Sequence, residues 1–358
     1  MIKELADEYT SRTESKLPLL PWYVVEYMEH SYDLSPASLL NYAHDYTIFF
    51  EWLIAAGYHT GAKTDIPLIL LEKLRVQDIT KFRGHLLNHK GNADPTINRK
   101  LSSLKSLFNY LTNKAEHEDL TPYLNRNVMA KIDLKNAKVD NDVKAEKIKN
   151  FVLRNDDFEK FREFVAFEFG ALPGLHGTTK KFHEINRERD TAIVSLVLGS
   201  GLRVSELVGL NINDVNMEVN AFEVVRKGNK KSIVHFSDVA KADLQEYLNV
   251  RKKKYKPTST VNALFLPSPE SINWKEGRLT VRAVQKLVEK YAKAFGRPAL
   301  TVHKLRHSFA TRHAQENNNL PKLKDQLGHE SVQTTMIYTH VFDDEKLAAV
   351  QNADKISK

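Results

Sequence analysis

One β-hairpin interrupts a chain otherwise patterned at the period of the α-helix, and this limits the fold more than any other feature. Residues 221–236 run Ala221-Phe222-Glu223-Val224-Val225-Arg226-Lys227, turn at Gly228-Asn229, and return through Lys230-Lys231-Ser232-Ile233-Val234-His235-Phe236. Two β-rich runs around a glycine-containing turn make a hairpin. Elsewhere apolar residues recur every three or four positions. Leu39, Leu40, Tyr42, Ala43, Tyr46, Phe49, Phe50 and Leu53 follow a Ser35-Pro36 helix start and stop before Gly57. Asp78 to His89, closed by Gly91, reads as another helix. Pro95 to Lys114 reads as a third, with Leu101, Leu104, Leu107, Phe108 and Leu111 as its buried stripe. Further helices are expected over 151–169, 190–199, 237–254, 280–295, 303–316 and 320–327, with a turn-rich loop over 170–188. The expected class is mainly α with a small antiparallel β-sheet.

A chain of 358 residues is longer than one hydrophobic core usually supports, so two domains are expected. The boundary falls at 134–150, a polar, lysine-rich and weakly periodic linker between an all-helical domain (1–133) and a second domain (151–358) that closes on a short tail, 341–358. No apolar run approaches a membrane span, and the acidic start Met1-Ile2-Lys3-Glu4-Leu5-Ala6-Asp7-Glu8 lacks the marks of a secretory signal, so a cytoplasmic protein is expected. Cysteine is absent, which removes thiolate nucleophiles, disulfides and Cys-based zinc sites together. The net charge of +8 favours a polyanionic partner. Residues 1–149 carry 20 Lys+Arg and 20 Asp+Glu, so the excess belongs to the second part. Even so, 81–114 holds seven basic residues against the one acid Asp94. Lys81, Arg83, Arg99, Lys100 and Lys105 of this patch are candidate phosphate contacts, with Lys230 on the hairpin; the other reading of such a run is a solvated helix face.

The second domain carries residues suited to phosphodiester chemistry, which needs an oxygen nucleophile, cations on the non-bridging oxygens, an acid and a base. Arg203 follows Gly199-Ser200-Gly201 at a helix opening, where it either meets an anion together with the helix dipole or pairs with Glu206 one turn on. His303, Arg306 and His307 stand at i, i+3 and i+4 on one helix face. A metal reading of the two histidines lacks the intervening Glu of a metalloprotease motif and is opposed by the arginine, so His307 reads as a supporting residue. Lys227 sits at the hairpin turn, either reaching toward a substrate or solvated. Leu327-Gly328-His329 reads as a helix end capped by Gly328, and Tyr338 follows nine residues after His329, either as a core tyrosine or as a nucleophile.

These segments, Gly201-Leu202-Arg203-x-Ser205-Glu206, Lys227 of the hairpin, His303-x-Leu305-Arg306-His307, Leu327-Gly328-His329 and Thr334-Thr335-x-x-Tyr338, occur in an order and spacing that resembles the tyrosine recombinase/integrase family. The resemblance covers nearly the whole chain: 16–133 resembles the family's helical core-binding (SAM-like) DNA-binding domain and 151–358 its catalytic domain. It implies that Tyr338 attacks a DNA phosphate to form a 3′-phosphotyrosyl link, that Arg203, Arg306 and His329 hold the phosphate oxygens, that Lys227 protonates the departing 5′-oxygen, and that His303 assists proton transfer at the phenol. Bond energy is kept in the covalent link, so no cofactor, ATP or metal is implied. A Holliday junction and a homotetramer on two double-stranded DNA sites are implied as well, with each tail docking on a neighbouring protomer.

Within the family, the length and motif wording resemble the Xer type, most of all its single-recombinase XerS branch. That implies resolution of chromosome dimers at a dif-like site during segregation, with dependence on the translocase FtsK a further expectation. A phage or mobile-element integrase is the alternative within the same chemistry. A DNA-binding protein that has lost catalysis is opposed by the intact catalytic set.

Overall fold

The computed structural model describes residues 3–134, 148, 151–226, 230–269, 277–317 and 319–338. Lys227, nearly all of the expected linker and the tail 341–358 lie outside them. The chain divides into two compact units, Ile2–Lys138 and Val139–Lys358. No described helix is long and apolar enough to cross a membrane.

The first unit is built from α1 (Lys3–Glu14), α2 (Trp22–His30), α3 (Pro36–Ala55), α4 (Leu68–Lys73), α5 (Val76–Asn88) and α6 (Asp94–Asn113). Ser35 caps α3 through its hydroxyl, which accepts from the Ser38 N–H at 3.2 Å, and Pro36 takes the first helical position. Tyr46, Phe49, Phe50 and Leu53 of α3 pack with Phe82 of α5 and Leu104, Leu107 and Phe108 of α6 in one core. Within it, the Tyr46 hydroxyl donates to the Ser103 carbonyl at 2.9 Å. Buried Asp45 of α3 accepts both arms of the Arg99 guanidinium at 2.6 and 2.8 Å and lies 3.6 Å from Lys100 Nζ. Two cations of the expected basic patch are therefore committed to an internal carboxylate. Lys100, 9 % exposed, is turned inward rather than held on a solvated face.

The second unit winds around α8, residues Gly177–Ser200, whose stretch Ala192–Leu198 is buried on all sides. Ahead of it stands α7 (Asp157–Glu163), continued by a π turn over Phe164–Glu168 and a 3-10 turn over Phe169–Ala171. After it come α9 (Val204–Gly209), α10 (Asp238–Tyr255), α11 (Val281–Ala294), α12 (Val302–Asn317), α13 (Leu320–Leu327) and α14 (Val332–Met336). The hairpin is present as β2 (Ala221–Arg226) and β3 (Lys230–His235), with Val225 opposite Lys231 and Arg226 opposite Lys230. A short β1 (Val215–Asn216) makes it a three-stranded antiparallel sheet in the order β1-β2-β3.

The loop expected over 170–188 is corrected: from Gly177 onward it is the first half of α8. An apolar-period reading misses it because its inward face is polar. His183, Asn186, Arg189 and Asp190 are all buried and satisfy one another and their surroundings. The Tyr291 hydroxyl donates to Asp190 at 2.7 Å and lies 2.9 Å from His183 Nδ1, while Tyr255 donates to Asn186 at 3.0 Å. Arg189 spans Asp190 at 2.7 Å and the Leu266 carbonyl at 2.9 Å.

Burial, with Lys290 adding to it, pushes the His183 imidazole down to about 4. Between that value and the ordinary histidine range the unfolded chain binds a proton that the native protein does not. The His183 contribution to stability is thus complete above about pH 6.5 and declines as the pH falls toward 4. Replacing His183 by Gln should reduce the acid-side slope of unfolding free energy by up to about 1.4 kcal/mol per pH unit. Superimposable pH profiles for the variant and the parent in thermal melts would contradict this assignment.

Candidate active site

Four of the expected site segments meet at the C-terminal end of α13. This helix closes on Gly328, which takes a left-handed φ of 62° and donates its N–H to the Asp325 carbonyl at 3.1 Å. A helix leaves its last carbonyls without internal partners, and they carry the negative end of its dipole. Here three guanidinium groups take up four consecutive carbonyls. Arg226 donates to Asp325 and Gln326, each at 2.7 Å, Arg306 to Leu327 at 2.7 Å, and Arg203 to Gly328 at 2.8 Å. Arg306 also donates to the Gly201 carbonyl at 2.6 Å.

The same three cations surround one buried carboxylate. Glu206 Oε1 lies 2.7 Å from Arg203 and 3.7 Å from Arg226, and Oε2 lies 3.9 Å from Arg306. The Arg203 backbone N–H donates to Glu206 at 2.8 Å and fixes the start of α9. Of the two readings of Arg203, the structure shows the pairing with Glu206 at the opening of α9. Three positive charges against one negative leave a net cationic excess, with Arg226 and Arg306 largely out of water and Arg203 partly exposed. Burial, with Arg203 adding to it and Glu206 opposing, pulls Arg306 down to about 10.

Gly201 lets the elements approach. Its φ is 69°, and a Cβ there would stand 2.4 Å from Phe309 and 2.9 Å from Leu327. Phe309 packs in turn on the small cluster of Ala310, Ala314, Leu323, Leu327 and Tyr338.

Tyr338 is 3 % exposed, and its hydroxyl shares a 2.8 Å hydrogen bond with His307 Nδ1. Burial raises the phenol to about 12, against the opposing pull of Arg306 and Arg203. His307 is pushed down to about 3, first by burial and then by His303, Arg306 and His329. A neutral imidazole thus faces a protonated phenol. His303 packs edge-on against His307 with ring centroids 4.3 Å apart. His329 shares a 2.9 Å hydrogen bond with the Thr335 hydroxyl and lies nearly parallel to the Tyr338 ring at 6.3 Å, its pKa lowered to about 4 by burial and the neighbouring arginines.

The structure thus brings Arg203, His303, Arg306, His329 and Tyr338 into one neighbourhood, while Lys227 lies outside the described residues. The imidazole touching the phenol is His307, whereas the sequence reading placed His303 there. Arg226 was not singled out at all. The available signal was its place one residue before Lys227, on the strand that the hairpin pattern identified. Glu206 appeared only as an alternative partner for Arg203, and its spacing from Arg203 is the trace that reveals it. Of the expected phosphate contacts outside this site, Lys81 is exposed 3.9 Å from Asp78, Arg83 lies 3.6 Å from Asp94, Lys105 is half-exposed and Lys230 is exposed. Among the described residues, no group of three or more His, Cys, Asp or Glu could hold a metal ion.

Comparison with known proteins identifies the family of the chain. Residues 175–345 match the phage integrase family. The tyrosine recombinase XerS of Streptococcus mutans is 38% identical over 93% of this chain and 95% of its own length, and that of Streptococcus sanguinis is 36% identical over 92% and 95%. The solved structure of the XerH site-specific recombinase bound to its difH substrate shares the fold, with a TM-score of 0.63 at 23% identity over 90% of this chain and 82% of that one. The chain belongs to the phage integrase family of tyrosine recombinases.

Proposed function

We propose that this protein is a site-specific DNA recombinase of the Xer type, acting without cofactor or metal, that resolves chromosome dimers at a dif-like site in the cytoplasm. The observation that carries the chemistry is the cluster of Arg203, Arg226 and Arg306 around the single carboxylate of Glu206, beside a buried phenol. A DNA phosphodiester would bring one negative charge against the cluster's net excess of two. Support for the Xer task comes from relatives named XerS that match along more than nine-tenths of the chain. In this reading the unit containing 1–133 binds the DNA core site, 134–150 links it to catalytic residues 151–358, and four protomers act on two double-stranded sites, exchanging the 341–358 tails. Action under FtsK belongs to the same proposal.

Arg203 and Arg306 hold the non-bridging oxygens, with His329 as a third donor. The Tyr338 oxygen attacks phosphorus, and the bond to the 5′-oxygen breaks as Lys227 delivers a proton to it. The phenol proton passes to the imidazole pair, of which His307 is in contact and His303 adjacent. In the free enzyme a phenol near 12 against an imidazole near 3 keeps the proton on oxygen. An anion bound close by raises the imidazole and makes the transfer easier, so Tyr338 is activated by its substrate. The 5′-hydroxyl of a second strand then reverses the chemistry, restoring the phosphodiester and freeing Tyr338.

A nicked duplex carrying the recombination site, which lets the cleaved segment diffuse away, tests this. Wild-type protein should accumulate a covalent adduct resistant to denaturant, Tyr338→Phe none, and Arg306→Ala should bind the duplex but cleave it at least about 100-fold more slowly. An adduct formed by Tyr338→Phe would sink the assignment.

In the first unit, Lys105 and the exposed Lys81 remain the proposed phosphate contacts, because Arg99 and Lys100 are engaged by Asp45. Lys105→Ala should lower the slope of log affinity against log salt by about 0.9 with an unchanged melting temperature. Arg99→Ala should instead destabilise the unit by about 2 kcal/mol, since it leaves a buried carboxylate short of its bidentate partner. An unchanged salt slope for Lys105→Ala would place the DNA on another face.

A further inference from the structure

Both strands of the hairpin are hooked to the last turn of α13. From β3, the His235 N–H donates to the Gln326 side-chain oxygen at 3.2 Å, and the Gln326 amide donates back to the His235 carbonyl at 2.7 Å and to Ser200 at 2.8 Å. From β2, Arg226 reaches across to the Asp325 and Gln326 carbonyls. The Arg226 side chain is 11% exposed, and among the described residues its Nε has no hydrogen-bond partner, with Glu206 3.7 Å away. Gly328 leaves room for it: a Cβ at that position would stand 2.5 Å from the guanidinium carbon. A cation on these carbonyls opposes the helix dipole at the point where the chain turns into His329.

We infer that Arg226 is a positioning residue for DNA cleavage, holding the C-terminal turn of α13 so that His329 registers on the same phosphate as Arg203 and Arg306. Three features support this. The fork satisfies two successive carbonyls, which a single ammonium cannot do with the same geometry. Those carbonyls precede Leu327 and Gly328, whose own carbonyls orient Arg306 and Arg203. The residue after Gly328 is His329 itself. A shift of this turn moves a donor relative to the phosphate without removing any group that contacts DNA, and a displacement of about 1 Å can cost on the order of 100-fold in rate.

The inference rests on Tyr338 being the nucleophile, and the experiment separates the two. Single-turnover cleavage of the nicked duplex and affinity for the intact duplex are measured for wild type, Arg226→Met, Arg226→Lys, His329→Ala and the Arg226→Met/His329→Ala double variant, with thermal melts alongside. Arg226→Met should cleave roughly 10- to 100-fold more slowly, a loss well beyond the smaller drop in affinity that follows from removing one charge of the cluster. Arg226→Lys keeps the charge and the aliphatic stem, and should recover less than half of that loss on a logarithmic scale. In the double variant the Arg226 substitution should add less than about twofold to the His329→Ala loss. Fully multiplicative losses, full recovery by lysine, or a rate loss matched by an equal loss of affinity would overturn the role through His329. Should Arg226→Met fail to melt cooperatively, Arg226→Lys and Gly328→Ala, which intrudes on the guanidinium, decide the matter by the same comparison. Absence of an adduct with wild type would instead remove the functional reading on which the inference stands.

Discussion

The site depends on the way one helix end and one carboxylate share three guanidinium groups. Glu206 alone cannot neutralise Arg203, Arg226 and Arg306, and the carbonyls of residues 325–328 supply the remaining acceptors. Neutral dipoles orient cations without cancelling their charge, so the cluster is held rigid while remaining attractive to an anion. Without those carbonyls, like-charge repulsion would splay the arginines. A second carboxylate in their place would fill the position that a phosphate needs. The glycines at 201 and 328 serve the same arrangement, because both close approaches exclude a side chain.

This electrostatic balance also explains the state of Tyr338, the proposed nucleophile. Tyr338 is packed among Ala310, Ala314, Leu323 and Leu327 with its hydroxyl on a neutral imidazole. A phenol raised by burial next to an imidazole lowered by burial and by surrounding cations is stable and unreactive. Burial first, and then His303 and Arg306 among its neighbours, lower His307; in the proposed mechanism a bound phosphate offsets Arg306, which links substrate binding to activation of Tyr338.

Much of the fold was legible because apolar periodicity and helix punctuation are local properties. Ser35-Pro36, the Gly328 cap and the hairpin turn announced their elements within a few residues. The first half of α8 escaped because His183, Asn186, Arg189 and Asp190 face inward, and a buried polar network carries no apolar period. Lys100 likewise belongs by sequence to a basic run, and its burial depends on Asp45, far away in sequence. Arg203, His303, Arg306, His329 and Tyr338 were found as site candidates through motif order. Arg226 and the contact between His307 and Tyr338 were not, since both depend on elements separated in sequence meeting at the α13 terminus.

Glu206 organises the arginines rather than merely diluting their charge. Glu206→Gln tests it most directly, because it keeps the shape and removes the charge. Single-turnover cleavage and duplex affinity of this variant should move in opposite directions. The added net positive charge should hold DNA at least as tightly as wild type, while cleavage falls by about 10-fold or more as the guanidinium groups lose their common anchor. Cleavage at the wild-type rate with tighter binding would show that the arginines need no carboxylate to keep their places, and would contradict the account.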